Sequence, residues 1–461
     1  MKADSSVLLP LMLASLFLTA GCAVGPDYQR PELPGQIGMS PPAAPPAGSA
    51  SSWWQSTVDP VLKSLVERAL TDNRDLRGAL ARLEESRALR RESQTGFLPV
   101  GTVSAGYRRQ LDSTVFYKGV SRDFRDQDIF DVGVDTAWEL DLFGRVRRSN
   151  EASNALAAAS AADFEQMRLL IAAETGRAYV EYRATHELLA LRQRQLSTAQ
   201  KSLAILRLQV TEGKTDREQL AAAETELATW QGAVRDLRLA GRAAGNRLGV
   251  LTGIGHAPEL ASGVLPRLST PIITSNPIAL LAHRPDVQAS ERRLAASTAA
   301  IGVARADYFP TLRLMGRVGA EATKADDITT ADANFFSFGP RLTWDLLNLH
   351  RVHARVKGAE ARSRQALAAW EQAILLALEE IDNALARRDE AVAKHGEWQR
   401  ASAASDIAWR IARTKAAEGL LDPRQTLAAE SAALNARAEC IRTEAELAIS
   451  TIYLQLSLAA P

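Results

Sequence analysis

The prolines constrain this chain most, by where they are missing. None occurs between Pro99 and Pro258, or between Pro340 and Pro423. Proline ends or kinks helices, so each gap permits a helix longer than a compact domain holds. From Val146 to Thr211 the chain can run helical for 66 residues, roughly 100 Å at about 1.5 Å per residue. Tyr182, Leu189, Leu196, Leu203 and Val210 recur every seven residues there. Further on, Leu367, Ile374 and Ile381 pair with Trp370, Ala377 and Ala384 in the same repeat. Such heptads predict coiled-coil packing. Glu212-Gly213-Lys214-Thr215 and Glu418-Gly419-Leu420-Leu421 interrupt the two runs. They predict turns that send the chain back as an antiparallel helix.

The chain also reads twice. Arg74-Asp75-Leu76 matches Pro285-Asp286-Val287, and Phe97-Leu98-Pro99 matches Tyr308-Phe309-Pro310, both 211 residues apart. Trp138 through Val146 matches Trp344 through Val352, and Glu212-Gly213 with Asp216 and Gln219 matches Glu418-Gly419 with Asp422 and Gln425, now 206 apart. A held offset with one length change inside a loop indicates duplication. Each copy reads as a helix, two strands, a very long helix, a tip and a return helix. The first copy spans 61–257 with its hairpin at 97–142 and its tip near 213. The second spans 277–461 with its hairpin at 311–347 and its tip near 419, after a linker at 258–276.

The strands show period-two alternation. Gly101, Val103, Ala105 and Tyr107 oppose Thr102, Ser104 and Arg108, and Val132, Val134, Trp138 and Leu140 oppose Asp131, Asp135, Glu139 and Asp141. The second copy sets Leu312, Leu314 and Val318 against Arg313 and Arg317, then Phe336, Phe338, Leu342 and Trp344 against Ser337, Arg341 and Asp345. Their length suits a membrane barrel, as do the long polar connections from Gln110 to Asp128 and from Glu321 to Asn334. A soluble sheet with one wet face alternates in the same way. Four strands leave two open edges, so a barrel requires an oligomer with a shared wall. Its inner face would carry Asp131, Asp135, Glu139, Asp141, Arg313, Arg317 and Arg341.

At the N-terminus, Val7 to Leu18 form an apolar run too short to span a bilayer and placed where a secretory signal belongs. Thr19-Ala20-Gly21-Cys22 then resembles a bacterial lipoprotein cleavage site, with Thr19 where leucine is usual. Cleavage after residue 21 would leave Cys22 as a lipidated N-terminus. An ordinary signal peptide with an incidental cysteine is the alternative. The Pro-, Gly- and Ser-rich stretch within 22–60 reads as an extended spacer. Cys440, on a helical pattern, reads as a small buried apolar residue.

Composition narrows the function classes. There are 55 basic against 54 acidic side chains, which gives no basic footprint for nucleic acid. Two cysteines provide neither a disulfide scaffold nor a zinc cage. Gly213-Lys214-Thr215 lacks the first glycine and the preceding strand of a phosphate loop. His350 and His353 are three apart without a nearby carboxylate to complete a metal set. Glu84-Glu85 and Glu379-Glu380 are adjacent on helices and do not face each other. No nucleophile elbow or dinucleotide fingerprint occurs. The expectation is no catalysis, no metal and no cofactor.

Several motifs resemble the outer-membrane efflux lipoproteins of the TolC/NodT outer membrane factor family. They are Gly21-Cys22-Ala23-Val24-Gly25-Pro26-Asp27-Tyr28, Trp53-Trp54 with Asp59-Pro60 and Leu62, and Trp138-Glu139-Leu140-Asp141-Leu142-Phe143-Gly144-Arg145. The most specific is Leu281-Ala282-His283-Arg284-Pro285-Asp286-Val287, continuing through Glu291-Arg292-Arg293-Leu294 and Ile301-Gly302-Val303-Ala304. The resemblance covers nearly the whole mature chain. It implies an α+β membrane protein, a homotrimer whose twelve strands form one outer-membrane barrel continuous with a periplasmic α-helical barrel. It implies a channel for drugs or other small solutes, docked at its tips on a periplasmic adaptor that joins an inner-membrane pump of the resistance-nodulation-division type. Ala23 after the cysteine favours outer-membrane sorting. Gly213, Asp216, Gly419 and Asp422 match the adaptor-contacting tips. Ala428-Ala429-Glu430-Ser431 replaces the Asp-Ala-Gln-Arg run whose Asp and Arg hold the inner end closed in relatives. Arg424 with Asp422 or Glu430 is the expected substitute lock. Two other functions fit the same residues, a channel for type I protein secretion and a lipid-anchored periplasmic scaffold without a pore.

Overall fold

A computed structural model describes residues 23–31, 53–55, 57–260, 263–268 and 281–458. The signal segment, Cys22, most of the Pro-rich spacer and much of the 258–276 linker lie outside the described residues. The first set of elements is α1 (Pro60–Asp72), α2 (Arg74–Thr95), β1 (Val100–Leu111), β2 (Asp126–Leu140), α3 (Arg145–Thr211) and α4 (Arg217–Leu251). The second is α5 (Pro285–Ala306), β3 (Thr311–Ala322), β4 (Asn334–Thr343), α6 (Leu349–Ala417) and α7 (Pro423–Ser457). Helices in matching places have matching lengths. Both α2 and α5 hold 22 residues, α3 and α6 hold 67 and 69, and α4 and α7 hold 35 each. No described helix is long and apolar enough to cross a membrane.

The described residues fall into two compact units. Of these, one holds 23–31, 83–160 and 289–370, and the other 53–55, 57–82, 161–260, 263–268, 281–288 and 371–458. The first unit holds one four-stranded antiparallel sheet in the order β1-β2-β3-β4. The central pairing joins the two copies, with Leu140 opposite Leu312 and Phe130 opposite Ala322. The first connection is shorter than its expected span from Gln110 to Asp128. Those two residues are already paired, Gln110 with Gln127 and Arg109 with Asp128, and a helical turn at Arg122–Arg125 fills the remaining bend.

The second unit is built on helices. Trp53 and Trp54 meet edge to face at 5.8 Å. They pack with Leu62, Leu65 and Val66 of α1 against Tyr179 and Val180 of α3, Leu248 and Leu251 of α4, and Ile452 of α7. One helix was expected before the first hairpin, and two are found. The break is at Asn73, which is buried. Its side chain accepts from Leu76 N at 3.0 Å, capping α2, and donates to Leu251 O at 3.0 Å. An N-cap satisfies an orphan helix donor, and here the same side chain anchors the end of α4.

The heptads divide by copy. In α6, Trp370, Ile374, Ala377, Ile381 and Ala384 are buried as the repeat predicts, and Ala391 extends it. In α3 the buried stripe first runs one residue earlier, through Leu188, Leu191, Gln195 and Thr198, while Tyr182, Leu189 and Leu196 are half-buried; Leu203 is then buried as the repeat predicts. Arg183, Arg192 and Gln195 lie within the buried set. A hydrophobic repeat cannot register such positions, because hydrogen bonding rather than apolarity permits their burial.

Candidate channel lining and helical tips

Strand pairing places the charges on one face. Asp135 stands opposite Thr102 and Arg317, Asp131 opposite Glu321, and Glu139 opposite Arg313. Arg317 reaches Asp135 at 3.3 Å and Asp131 at 3.5 Å, and Arg313 reaches Glu139 at 3.5 Å. These cross-strand ion pairs tie the sheet along a polar surface. The other face is apolar and bare. Val103, Tyr107, Val318, Phe336, Phe338 and Leu342 all point that way, and Phe336 is 85% exposed. An exposed apolar band of this extent suits lipid rather than water.

Asp141 differs from the expectation. It lies beyond the last residue of β2 and accepts from Val146 N at 2.9 Å and Arg147 N at 3.0 Å, with Arg147 Nε at 3.1 Å. It is a cap on α3 rather than a strand charge, because two orphan amides of the helix start are aimed at it. Glu139, just inside the strand, takes Arg145 through two bonds of 2.8 and 2.6 Å. The indoles of Trp138 and Trp344 do matching work at the two joins, donating to Phe97 O at 2.9 Å and Tyr308 O at 3.1 Å. Phe143 stacks on Phe309 with centroids 4.5 Å apart.

A strap of N-terminal residues lies across this join. Val24 N donates to Phe143 O at 3.1 Å. Arg148, buried, donates to Asp27 at 2.6 Å and to Val24 O at 3.3 Å. Tyr28 OH donates to the buried Glu291 at 2.7 Å. Burial, then the Glu291 carboxylate, pushes the Tyr28 phenol well above its ordinary value. Gly25 has φ +103°, and a Cβ there would lie 2.5 Å from Gly302 Cα. The strap fits because two glycines meet backbone to backbone.

In the second unit the tips close in matching ways. Gly213 and Gly419 have φ of +66° and +74°. Lys214 N donates to Gln209 O and Leu420 N to Lys415 O, both at 2.8 Å, which is the left-handed helix stop glycine permits. Asp216 then accepts from Gln219 N at 3.0 Å and Asp422 from Arg424 N at 2.7 Å, capping α4 and α7. Pro423 at the first helical position adds to the second start. Arg424 Nη1 donates to Gln219 Oε1 at 2.8 Å, so the two tips of one chain are joined. Among the described residues Arg424 has no ion pair with Asp422 or Glu430. The expected lock is therefore not formed within one chain, since the Asp422 carboxylate is occupied as a cap.

Buried polar ties that no sequence period marks hold this unit together. Arg192 donates to Asn435 Oδ1 at 2.7 Å and to Gln195, and Gln195 Nε2 donates to Asn435 Oδ1 at 2.8 Å. Tyr179, fully buried, donates to Asp59 at 2.7 Å and accepts from Arg183 Nε at 2.9 Å. Burial, then Asp59, pushes this phenol up to about 12. Arg284, in the most specific motif, binds Asp286 through bonds of 3.0 and 2.7 Å, Glu380 at 2.6 Å and Ser457 O at 2.6 Å. That motif is a brace between α5, α6 and α7.

Comparison with known proteins matches these features. A profile for the outer membrane efflux protein family fits residues 65–254 and 277–460, one match per copy. The chain is 28% identical over 91% of its length to the probable outer membrane lipoprotein SilC of Salmonella typhimurium, of which it covers 91%. It is 32% identical over 82% of its length to the outer membrane protein OprJ of Pseudomonas aeruginosa, of which it covers 80%. Among solved structures, the outer-membrane channel OprN superposes with a TM-score of 0.82 at 33% identity, over 95% of this chain and 99% of that one. The duplicated helical chain with its half-apolar, half-charged sheet belongs to the outer membrane efflux protein family and is an outer-membrane efflux channel.

Proposed function

We propose that three copies close one twelve-stranded barrel and that the chain is the exit duct of a tripartite export machine. The four-stranded sheet carries the reading. It has two free edges, β1 and β4, one lipid-like face and one charged face. Such a sheet satisfies its edges in a membrane only by closing with other copies. The charged face then lines a wet lumen holding Asp131, Asp135, Glu139, Arg313, Arg317 and Arg341. The tips at Gly213, Asp216, Gly419 and Asp422 would meet a periplasmic adaptor that joins a pump of the resistance-nodulation-division type. Cys22 would carry lipid next to Ala23, and Ala23 abuts Gly144 at the base of the strands.

Transport through such a duct is passive, with the pump supplying energy. Relatives carry names as unlike as cation efflux, for CusC of Escherichia coli, and toluene efflux, for TtgF of Pseudomonas putida. That range of cargo supports recognition of each compound by the pump rather than by a binding pocket in the duct. Between subunits, Arg424 meeting Asp422 or Glu430 of a neighbour would restrain the inner mouth, where poor solvation strengthens a charge pair. The test is conductance of the purified protein in planar bilayers, with export of several toxic compounds in a deletion strain and its complement. Conducting trimers and restored export are expected. A trimer that never conducts, even with opened tips, favours the scaffold and refutes the duct.

A further inference from the structure

The charges on the polar face are not spread evenly along the strands. At the helix end of the sheet, Arg313 on β3 stands directly opposite Arg341 on β4. Like charges in that position repel. Glu139 is the strand carboxylate on that level, and it is already bound by Arg145 at 2.6 Å and by Arg313 at 3.5 Å. Arg341 is exposed and makes no hydrogen bond or ion pair among the described residues. Just beyond the strand, the free Asp345 is matched in charge by the free Arg351 of α6. Toward the loops the balance reverses, with Asp131, Asp135 and Glu321 against Arg108 and Arg317.

A second copy does not repair the imbalance. Arg341 lies on an edge strand, and the free edge that would meet it is β1 of another copy. That strand reads Val-Gly-Thr-Val-Ser-Ala-Gly-Tyr-Arg-Arg-Gln-Leu and contains neither aspartate nor glutamate. No register of the pairing can therefore bring a β1 carboxylate to Arg341.

Building on the trimeric pore proposed above, we propose that Arg341 makes the helix end of the barrel lumen selective for anions. Each copy contributes three guanidiniums at that level against one strand carboxylate, Glu139. A lumen with low-dielectric walls focuses this field on permeant ions. The class favoured is small anions and anionic organic solutes, attracted by field rather than held in a pocket. The bias weakens as salt shortens the screening length, which is about 10 Å at 0.1 M.

Reversal potentials across a KCl gradient, with purified trimers in planar bilayers, read the chloride-to-potassium permeability ratio. Wild type is expected above one. Arg341→Gln lowers the ratio about fourfold per charge removed, because one charge about 10 Å away in water favours the anion about twofold and disfavours the cation about twofold, and Arg341→Glu takes it below one. Arg109→Gln removes the same charge from the opposite, apolar face and leaves the ratio unchanged. A wild-type ratio at or below one overturns the proposal, whether or not the variants assemble. So does an Arg341→Gln channel that keeps the wild-type ratio. A separate arm tests the reading beneath it, using Arg341→Cys in a Cys440→Ala background and a membrane-impermeant thiol reagent. A change of conductance on labelling places residue 341 in the lumen. Intact conductance that no reagent alters means the pore assignment of this face has failed, rather than the charge argument alone.

Discussion

Replacing Asn435 by leucine should cost more than replacing it together with Arg192. The Asn435 Oδ1 atom accepts from Arg192 at 2.7 Å and from Gln195 at 2.8 Å. Arg192 is 6% exposed and lies 4.8 Å from the Trp230 ring centroid, and among the described residues no carboxylate pairs with it. Burial, then the nearby Arg442 charge, lowers its affinity for the proton it carries. A hydrogen bond from a charged donor is worth about 1.5–3 kcal/mol and a neutral one about 1 kcal/mol. Asn435→Leu should therefore cost about 2.5–4 kcal/mol, most of it from the buried cation, which keeps only its Gln195 acceptor. The double variant Arg192→Met with Asn435→Leu removes the stranded charge and should recover about half of that loss. The assay is loss of helical circular dichroism at 222 nm in detergent, at one scan rate, for both single variants and the double. At about 2 °C or less per kcal/mol for a chain of this size, Asn435→Leu should melt roughly 5 °C below wild type and the double variant above Asn435→Leu. A double variant that falls by the sum of the singles would refute the reasoning, because the residues would then not act as a unit.

Other perturbations test separate features. Burial alone would raise the Glu174 carboxyl, but Arg177, Tyr453 and Arg247 outweigh it and hold it below the usual 4.5. Its stabilisation is full above that ordinary value and lost as pH falls through the lower folded one, so Glu174→Gln should give a shallower acid decline in melting temperature; a steeper one contradicts the assignment. Gly25→Ala places a Cβ 2.5 Å from Gly302 Cα at φ +103°, and should lift the strap and speed chymotryptic cleavage after Tyr28; wild-type cleavage rates would count against a seated strap. Arg424→Ala removes the 2.8 Å tie to Gln219 and should raise resting conductance in bilayers; an unchanged closed state sinks its role at the inner mouth.

The duplication, strand faces and tips were legible because each rests on a local rule. Period-two alternation separated Asp135 and Arg317 from Val134 and Val318, and Gly213 and Gly419 supply the positive φ that a helix stop needs. The α6 heptad was legible because its buried positions are apolar. The α3 seam was legible at Leu203 but not at Arg192 and Gln195, which are buried through Asn435, more than 200 residues away in sequence. Asn73 was hidden for the same reason, its second partner being Leu251 O, 178 residues away. Alternation alone makes Asp141 one more strand charge. Its true place depends on where β2 stops, which two amides of α3 decide.

The central claim is that β4 of one copy meets β1 of the next and that the ring closes at three. Disulfide crosslinking in native outer membranes tests it most directly, with Cys440→Ala as background, a cysteine at Phe336 in β4, and a second at Gly101, Val103 or Ala105 in β1. At least one pairing should give covalent dimers and trimers on oxidation, with no larger species. Monomers alone at every position, or a ladder running past three, would contradict it.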